Sequence, residues 1–219
     1  MTPSGPRGAT CEDAGMPAAP TTVLFDADGV VQQTPPGWEA ELHATLGSPP
    51  EVERLLAELF TAELPTLAGE RDFAEVATEV LEHWGLADRT DAVLAFWTRL
   101  ELDQEVTALI RELRAGGAAC WLATNQHQLR RAYMSTSLGY DELLDGQLYS
   151  CDLGVAKPDP AYFARAVAQI GCDPGAALFI DDREPNVLGA RSAGLRAEVF
   201  HLSSGADALR DILAAHGLL

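Results

Sequence analysis

The sequence predicts an α/β protein: a parallel sheet covered by helices on both faces, with a small all-helical unit set in after the first strand. Three observations predict it. Short apolar runs such as Val23-Leu24-Phe25 and Ala177-Leu178-Phe179-Ile180 suit strands buried on both faces, and each stops abruptly at acidic residues. From residue 106 onward, such runs alternate with helical apolar spacing. Between residues 35 and 105 the spacing is helical throughout, and no strand candidate interrupts it.

The elements follow in order. Thr21 to Phe25 is a β-prone run entering the turn Asp26-Ala27-Asp28-Gly29. In the helical block, Ser48-Pro49-Pro50-Glu51 has the form of a capping box, and Val52, Leu55, Leu56, Leu59 and Phe60 continue it at helical spacing. A second helix carries Phe73, Val76, Ala77, Val80, Leu81 and Trp84 and stops at Gly85. A third carries Val93, Leu94, Phe96, Trp97 and Leu100. Val106, Leu109, Ile110 and Leu113 then mark a helix ending at Gly116-Gly117. The strand from Ala118 to Ala123 runs into Thr124-Asn125, and a helix with Leu129, Tyr133, Met134 and Leu138 follows. Gln147 to Ser150 reads as a short strand, and Ala161 to Ile170 as a helix after Lys157-Pro158-Asp159-Pro160. The run Ala177 to Ile180 ends in Asp181-Asp182, and a helix with Val187, Leu188, Ala190 and Ala193 stops at Gly194. A last strand, Ala197 to His201, precedes a helix around Leu209, Ile212 and Leu213.

Composition narrows the classes of partner. The 219 residues hold 15 Lys and Arg against 33 Asp and Glu, a formal charge of −18. That balance argues against nucleic acid and against an anionic membrane surface, both of which need clustered cations. Residues 35–105 hold 16 acids and 4 Arg, so most of the charge belongs to the helical block. This makes large polyanionic substrates unsuitable. Lys157 is the single Lys among the 15 cations. Cys11, Cys120, Cys151 and Cys172 are scattered, with neither metal-ligand nor disulfide-framework spacing. The absence of an apolar run of about 18 residues argues against a membrane span. The first 20 residues are rich in Pro, Gly and Ala without an apolar h-region. They read as a disordered tail, with Met16 a second candidate start and a reducing cytoplasm the expected setting.

Ligands in open α/β sheets bind beyond the carboxyl ends of the strands. Three strands end there in polar residues: Asp26 and Asp28, Thr124 and Asn125, and Asp181 and Asp182. Lys157 lies in the loop region between the second and third. If these strands are neighbours, four carboxylates, a hydroxyl, an amide and the lone Lys converge. Like charges so close need a neutralising cation, and an all-oxygen set suits Mg²⁺. Attack on phosphorus is the chemistry this set favours, with one carboxylate as nucleophile and the other as proton shuttle. Taken singly, each piece has a blander reading. Asp26-Ala27-Asp28-Gly29 fits an ordinary turn, Thr124-Asn125 and Asp181-Asp182 fit helix starts, and Lys157 fits a solvated side chain.

Asp26-Ala27-Asp28-Gly29-Val30, Thr124-Asn125, Lys157-Pro158-Asp159-Pro160 and Phe179-Ile180-Asp181-Asp182 resemble the four ordered motifs of the haloacid dehalogenase-like hydrolase superfamily. The resemblance implies a doubly wound, Rossmann-like core over residues 21–34 and 106–219, and a helical cap over 35–105. It implies a phosphatase-type member acting on a small phosphorylated metabolite with Mg²⁺ as cofactor. Asp26 would be the nucleophile that forms an aspartyl-phosphate. Asp28 would protonate the leaving group and then activate water. Thr124, Asn125 and Lys157 would hold the phosphoryl group. The metal would be held by the Asp26 carboxylate, the Asp28 main-chain carbonyl, and Asp182 with Asp181 assisting. No role falls to Asn186 or Arg183.

An acid two residues after the nucleophile favours phosphoryl transfer over dehalogenation, because a halide leaves without a proton. The helical block has no Lys for a Schiff base, which argues against a phosphonate hydrolase. A sugar phosphomutase keeps the same motifs and stands as the alternative enzyme, and a non-catalytic binding member as the alternative class. His43, His83, His127, His201 and His216 lack metal-ligand spacing and read as surface or packing residues. Trp38, Trp84 and Trp97 read as packing within the block, with one or two free to face substrate.

Overall fold

The computed structural model describes residues 18–47 and 49–219. The expected tail, the alternative start at Met16, Cys11 and the Ser48 cap lie wholly or largely outside the described residues. The chain runs β1 (Thr22–Phe25), β2 (Gln32–Gln33), α1 (Trp38–Leu46), α2 (Pro49–Glu63), α3 (Phe73–His83), α4 (Thr90–Trp97) and β3 (Glu101–Leu102). It continues through α5 (Gln104–Ala115), β4 (Ala119–Thr124), α6 (Gln128–Ser137), α7 (Tyr140–Leu143), β5 (Gly146–Tyr149) and α8 (Ser150–Leu153). The last elements are α9 (Pro160–Ile170), β6 (Ala177–Asp181), α10 (Glu184–Ser192), β7 (Arg196–Val199) and α11 (Ala206–Ala215).

Five strands form one parallel sheet in the order β5-β4-β1-β6-β7. Strand alternation sends Val23, Phe25, Leu122, Leu178 and Ile180 into a core shared with α5, α7 and α11. The intervening Leu24, Ala123 and Phe179 enter a second core shared with α9 and α10. Both faces are therefore dry, which is why these strands read as continuous apolar runs. The sequence-read doubly wound α/β architecture is the observed one. From β1 the chain moves to β4 and β5 on one side, then crosses to β6 and β7 on the other. The crossover leaves a crevice beyond the carboxyl ends of β1, β4 and β6.

Between β2 and β3 the described residues form helices joined by loops. Asp72 caps α3 by accepting from the amides of Ala74 and Glu75. Leu55, Leu59, Phe73, Ala77, Leu81 and Val93 make a separate apolar cluster among α2, α3 and α4. One expectation is corrected here. The block 35–105 does contain a strand, because Glu101–Leu102 pairs antiparallel with Gln32–Gln33. Two paired residues are too few to give a period-two pattern, so sequence periodicity passes over them.

The helical block touches the sheet-bearing part through His127, which is fully buried. Its ring stacks on Phe73 at 4.0 Å, and its Nε2 lies 3.2 Å from Glu63 Oε1. Its Nδ1 accepts the Arg130 amide and so caps α6. This is packing, as the sequence reading held, and the helix cap falls on His127, not on Thr124 or Asn125. Burial holds the imidazolium below its ordinary value of 6.5, against the pull of Glu63. As pH falls through that ordinary value, the unfolded chain takes up a proton that the folded chain resists. Stability therefore drops on acidification. His127→Gln removes this contribution, so urea midpoints measured from about pH 7.5 to 5.5 fall less steeply in the variant than in wild type.

Candidate active site

The crevice holds the residues singled out in the sequence. Asp26, Asp28, Thr124, Asn125, Asp182, Arg183 and Asn186 line a cavity of about 160 Å³. Lys157 enters from the loop before α9 and is almost wholly buried. Its Nζ lies 2.9 Å from Asp26 Oδ1 and 2.7 Å from Asp181 Oδ2, and donates to the Ala123 carbonyl at 2.9 Å. Asn125 fixes the same residue through the backbone. Its Nδ2 donates to the Lys157 carbonyl, and its Oδ1 accepts the Lys157 amide, both at 2.9 Å. The Asn125 side chain is thus committed to holding Lys157.

The carboxylates differ in how they are held. Asp26 accepts the Ala27 amide at 2.7 Å. Burial pushes its carboxyl up to about 7, against the pull of Lys157 and with the push of Asp181. Asp181 is fully buried and its oxygens are taken up by Lys157, the Arg183 amide and the Asn186 amide. Asp182 is partly exposed, and burial together with Asp181 raises its carboxyl. One carboxylate oxygen from each of Asp26, Asp181 and Asp182 lies within 4.8 Å of the other two. One ammonium among three close carboxylates leaves the cluster short of positive charge, and the donors are all oxygen. Both features fit a hard divalent cation such as Mg²⁺.

The Asp28 carboxylate turns away from that cluster. It accepts from Gln32 Nε2 at 3.0 Å, Gln126 Nε2 at 2.7 Å and Arg130 at 2.8 Å. Tyr140 in turn donates to Gln32 Oε1. Burial would push Asp28 up, but Arg130 and the two amides outweigh it and hold the carboxyl below its ordinary value. Gln126 also donates to Thr124 Oγ1 at 3.3 Å. Sequence reasoning missed Gln32, Gln126 and Arg130. The available signal was weak: two of them lie within six residues of Thr124, and a polar residue after a motif looks like a solvated helix start. Asn186, given no role from sequence, supplies the side-chain clamp on Asp181.

These features define a crevice of acidic strand ends around one lysine. A family model for haloacid dehalogenase-like hydrolases matches residues 20–194. The chain belongs to that family of enzymes. It is 30% identical over 194 residues to a phosphoserine phosphatase of Thermus thermophilus, covering 84% of this chain and 76% of that one. It is 32% identical over 101 residues to a sesquiterpene phosphatase of Aspergillus oryzae, covering 44% of this chain and 49% of that protein. The match thus spans about half the length of the latter relative. In fold it resembles a family enzyme of Bacteroides thetaiotaomicron solved with magnesium and inorganic phosphate. The TM-score is 0.69 at 21% identity, covering 82% of this chain and 93% of that one.

Gly29 shows how closely the turn after β1 approaches the acidic pair. Its φ is +76°, and a Cβ there would stand 2.6 Å from Asp182 Oδ2. Gly29→Ala should cost about 1–2 kcal/mol from the left-handed backbone alone. Displacement of Asp182 adds to that cost, and urea denaturation measures the total.

Proposed function

We propose that the chain is a Mg²⁺-dependent phosphoric monoester hydrolase that acts on a small phosphorylated metabolite through an aspartyl-phosphate. The observation that carries this reading is Lys157 Nζ, held 2.9 Å from Asp26 Oδ1 at the mouth of β1. The ammonium favours the ionised form of Asp26 against its burial and stands beside the oxygen that would attack phosphorus. The phosphatase names of the relatives support the reaction class, although they differ in the alcohol released.

In this reading Asp26 attacks phosphorus and the P–O bond to the alcohol breaks. Asp28, held ionised in the free site, first takes up the proton that Asp26 carries near pH 7; it gives that proton to the leaving oxygen, then takes one from the water that cleaves the acyl phosphate. The Thr124 hydroxyl and Lys157 bind the phosphoryl oxygens, while the Asn125 side chain fixes Lys157. Mg²⁺ would be held by Asp26, the Asp28 carbonyl and Asp182, and when bound it supplies positive charge against the phosphoryl oxygens. Asp181, whose oxygens are already engaged by protein donors, serves as the assisting residue. Residues 35–105 act as the cap that excludes water and selects substrate.

Asp26→Asn should lower p-nitrophenyl phosphate turnover by more than about a thousandfold, and a chelator should abolish wild-type turnover until Mg²⁺ is restored. Turnover that survives both treatments refutes the proposal. Arg130 gives a second test. Its cation favours the ionised form of Asp28, so Arg130→Gln raises the Asp28 pKa. Because Asp26 titrates near 7, above Asp28, the Asp28 value sets the acidic limb, so the acidic rise of kcat/KM for alkyl phosphates moves to higher pH, which a pH–rate profile measures.

A further inference from the structure

Resting on the phosphatase reading, we infer that the alcohol half of the substrate is uncharged and apolar, and that Trp38, Phe60, Phe96, Trp97 and Leu100 form its binding cavity.

These five side chains line a second cavity of about 140 Å³, completed by Thr34 and Arg130. That volume is close to the ~150 Å³ of an apolar protein cavity that takes up benzene. The aromatic wall is fixed before any ligand arrives. The Trp97 indole N–H donates to Glu63 Oε1 at 3.3 Å, and its ring lies 5.0 Å from Phe73 and 6.0 Å from Phe60. Its polar edge is satisfied and its ring is left to face the cavity. Phe60 is 47% exposed, a large aromatic surface left in water at this site.

Arg130 joins this cavity to the acidic crevice. It lines the apolar cavity while its guanidinium holds Asp28 Oδ1 at 2.8 Å, and Asp28 lines the crevice. Asp28 is the residue assigned to protonate the leaving oxygen. The carbon attached to that oxygen therefore lies on the Arg130 side, and the rest of the alcohol extends toward the aromatic wall. Arg130 is the only cation among the described residues lining the cavity, and its guanidinium is already committed to a hydrogen bond with Asp28 Oδ1. A second anionic group on the substrate finds no free partner there, and the surrounding block is strongly acidic. Carboxylate-bearing phosphates are disfavoured on that ground.

The test is kcat/KM for methyl, butyl and hexyl phosphate beside phosphoserine and phosphoglycolate. Values should climb with chain length by up to about fourfold per methylene, and both carboxylates should fall below hexyl phosphate. Phe60→Asp, at a half-exposed position that tolerates a polar group, should cut the hexyl value at least about tenfold and flatten the series. In parallel, 6-bromohexanol, a heavy-atom quencher, should quench indole emission saturably in wild type and not in Phe60→Asp. A flat series in an enzyme that still depends on Asp26 overturns the cavity assignment and leaves the phosphatase reading standing. Non-saturable quenching likewise counts against the cavity. Hydrolysis of none of these esters, nor of p-nitrophenyl phosphate, overturns both together.

Discussion

The site depends on one buried ammonium. Parallel pairing of β1 with β6 sets Asp26 beside Asp181 at the carboxyl ends of neighbouring strands. Two buried carboxylates at that spacing repel each other in a medium that screens poorly. Lys157 lies between them and touches both. It is held there from three directions: by the carboxylates, by the Ala123 carbonyl, and through its own backbone by Asn125. An Arg fork would not reproduce this compact, three-donor geometry, which accounts for a Lys here in a chain that otherwise uses Arg.

A second polar cluster balances the first. Asp28 is drawn out of the carboxylate group by Gln32, Gln126 and Arg130, so two acids separated by one residue meet opposite environments. Asp26 is pushed up by burial, and Asp28 is held down by a guanidinium and amide donors. The same Arg130 faces an aromatic cavity, so polar and apolar halves of the crevice meet at a single side chain.

Much of this was legible in the sequence, for physical reasons. Strands buried on both faces must be apolar throughout, so Val23 to Phe25 and Ala177 to Ile180 announced a parallel sheet. Acidic residues that end such runs announced the crevice. What stayed hidden depends on contacts between distant segments. Gln32, Gln126 and Arg130 are ordinary polar residues until the fold places them around Asp28. The pairing of Gln32–Gln33 with Glu101–Leu102 spans too few residues to leave a period. Trp38 and Trp97 read as packing, because helical spacing does not say which neighbour a face meets. The bracing of the Lys157 backbone by the Asn125 side chain is likewise a contact between distant segments.

That short pair of strands also bears on how this chain can change over time. Gln32 and Leu102 are direct neighbours, and the Asp103 amide donates to the Val31 carbonyl at 2.9 Å. The helical block therefore leaves and re-enters the sheet-bearing part through adjacent points. Lengthening, shortening or exchanging the segment between them leaves strand register untouched and alters closure entropy only slowly with length. The architecture is modular: the carboxylates and Lys157 at the strand ends can stay fixed while the helices between the two short strands are replaced wholesale.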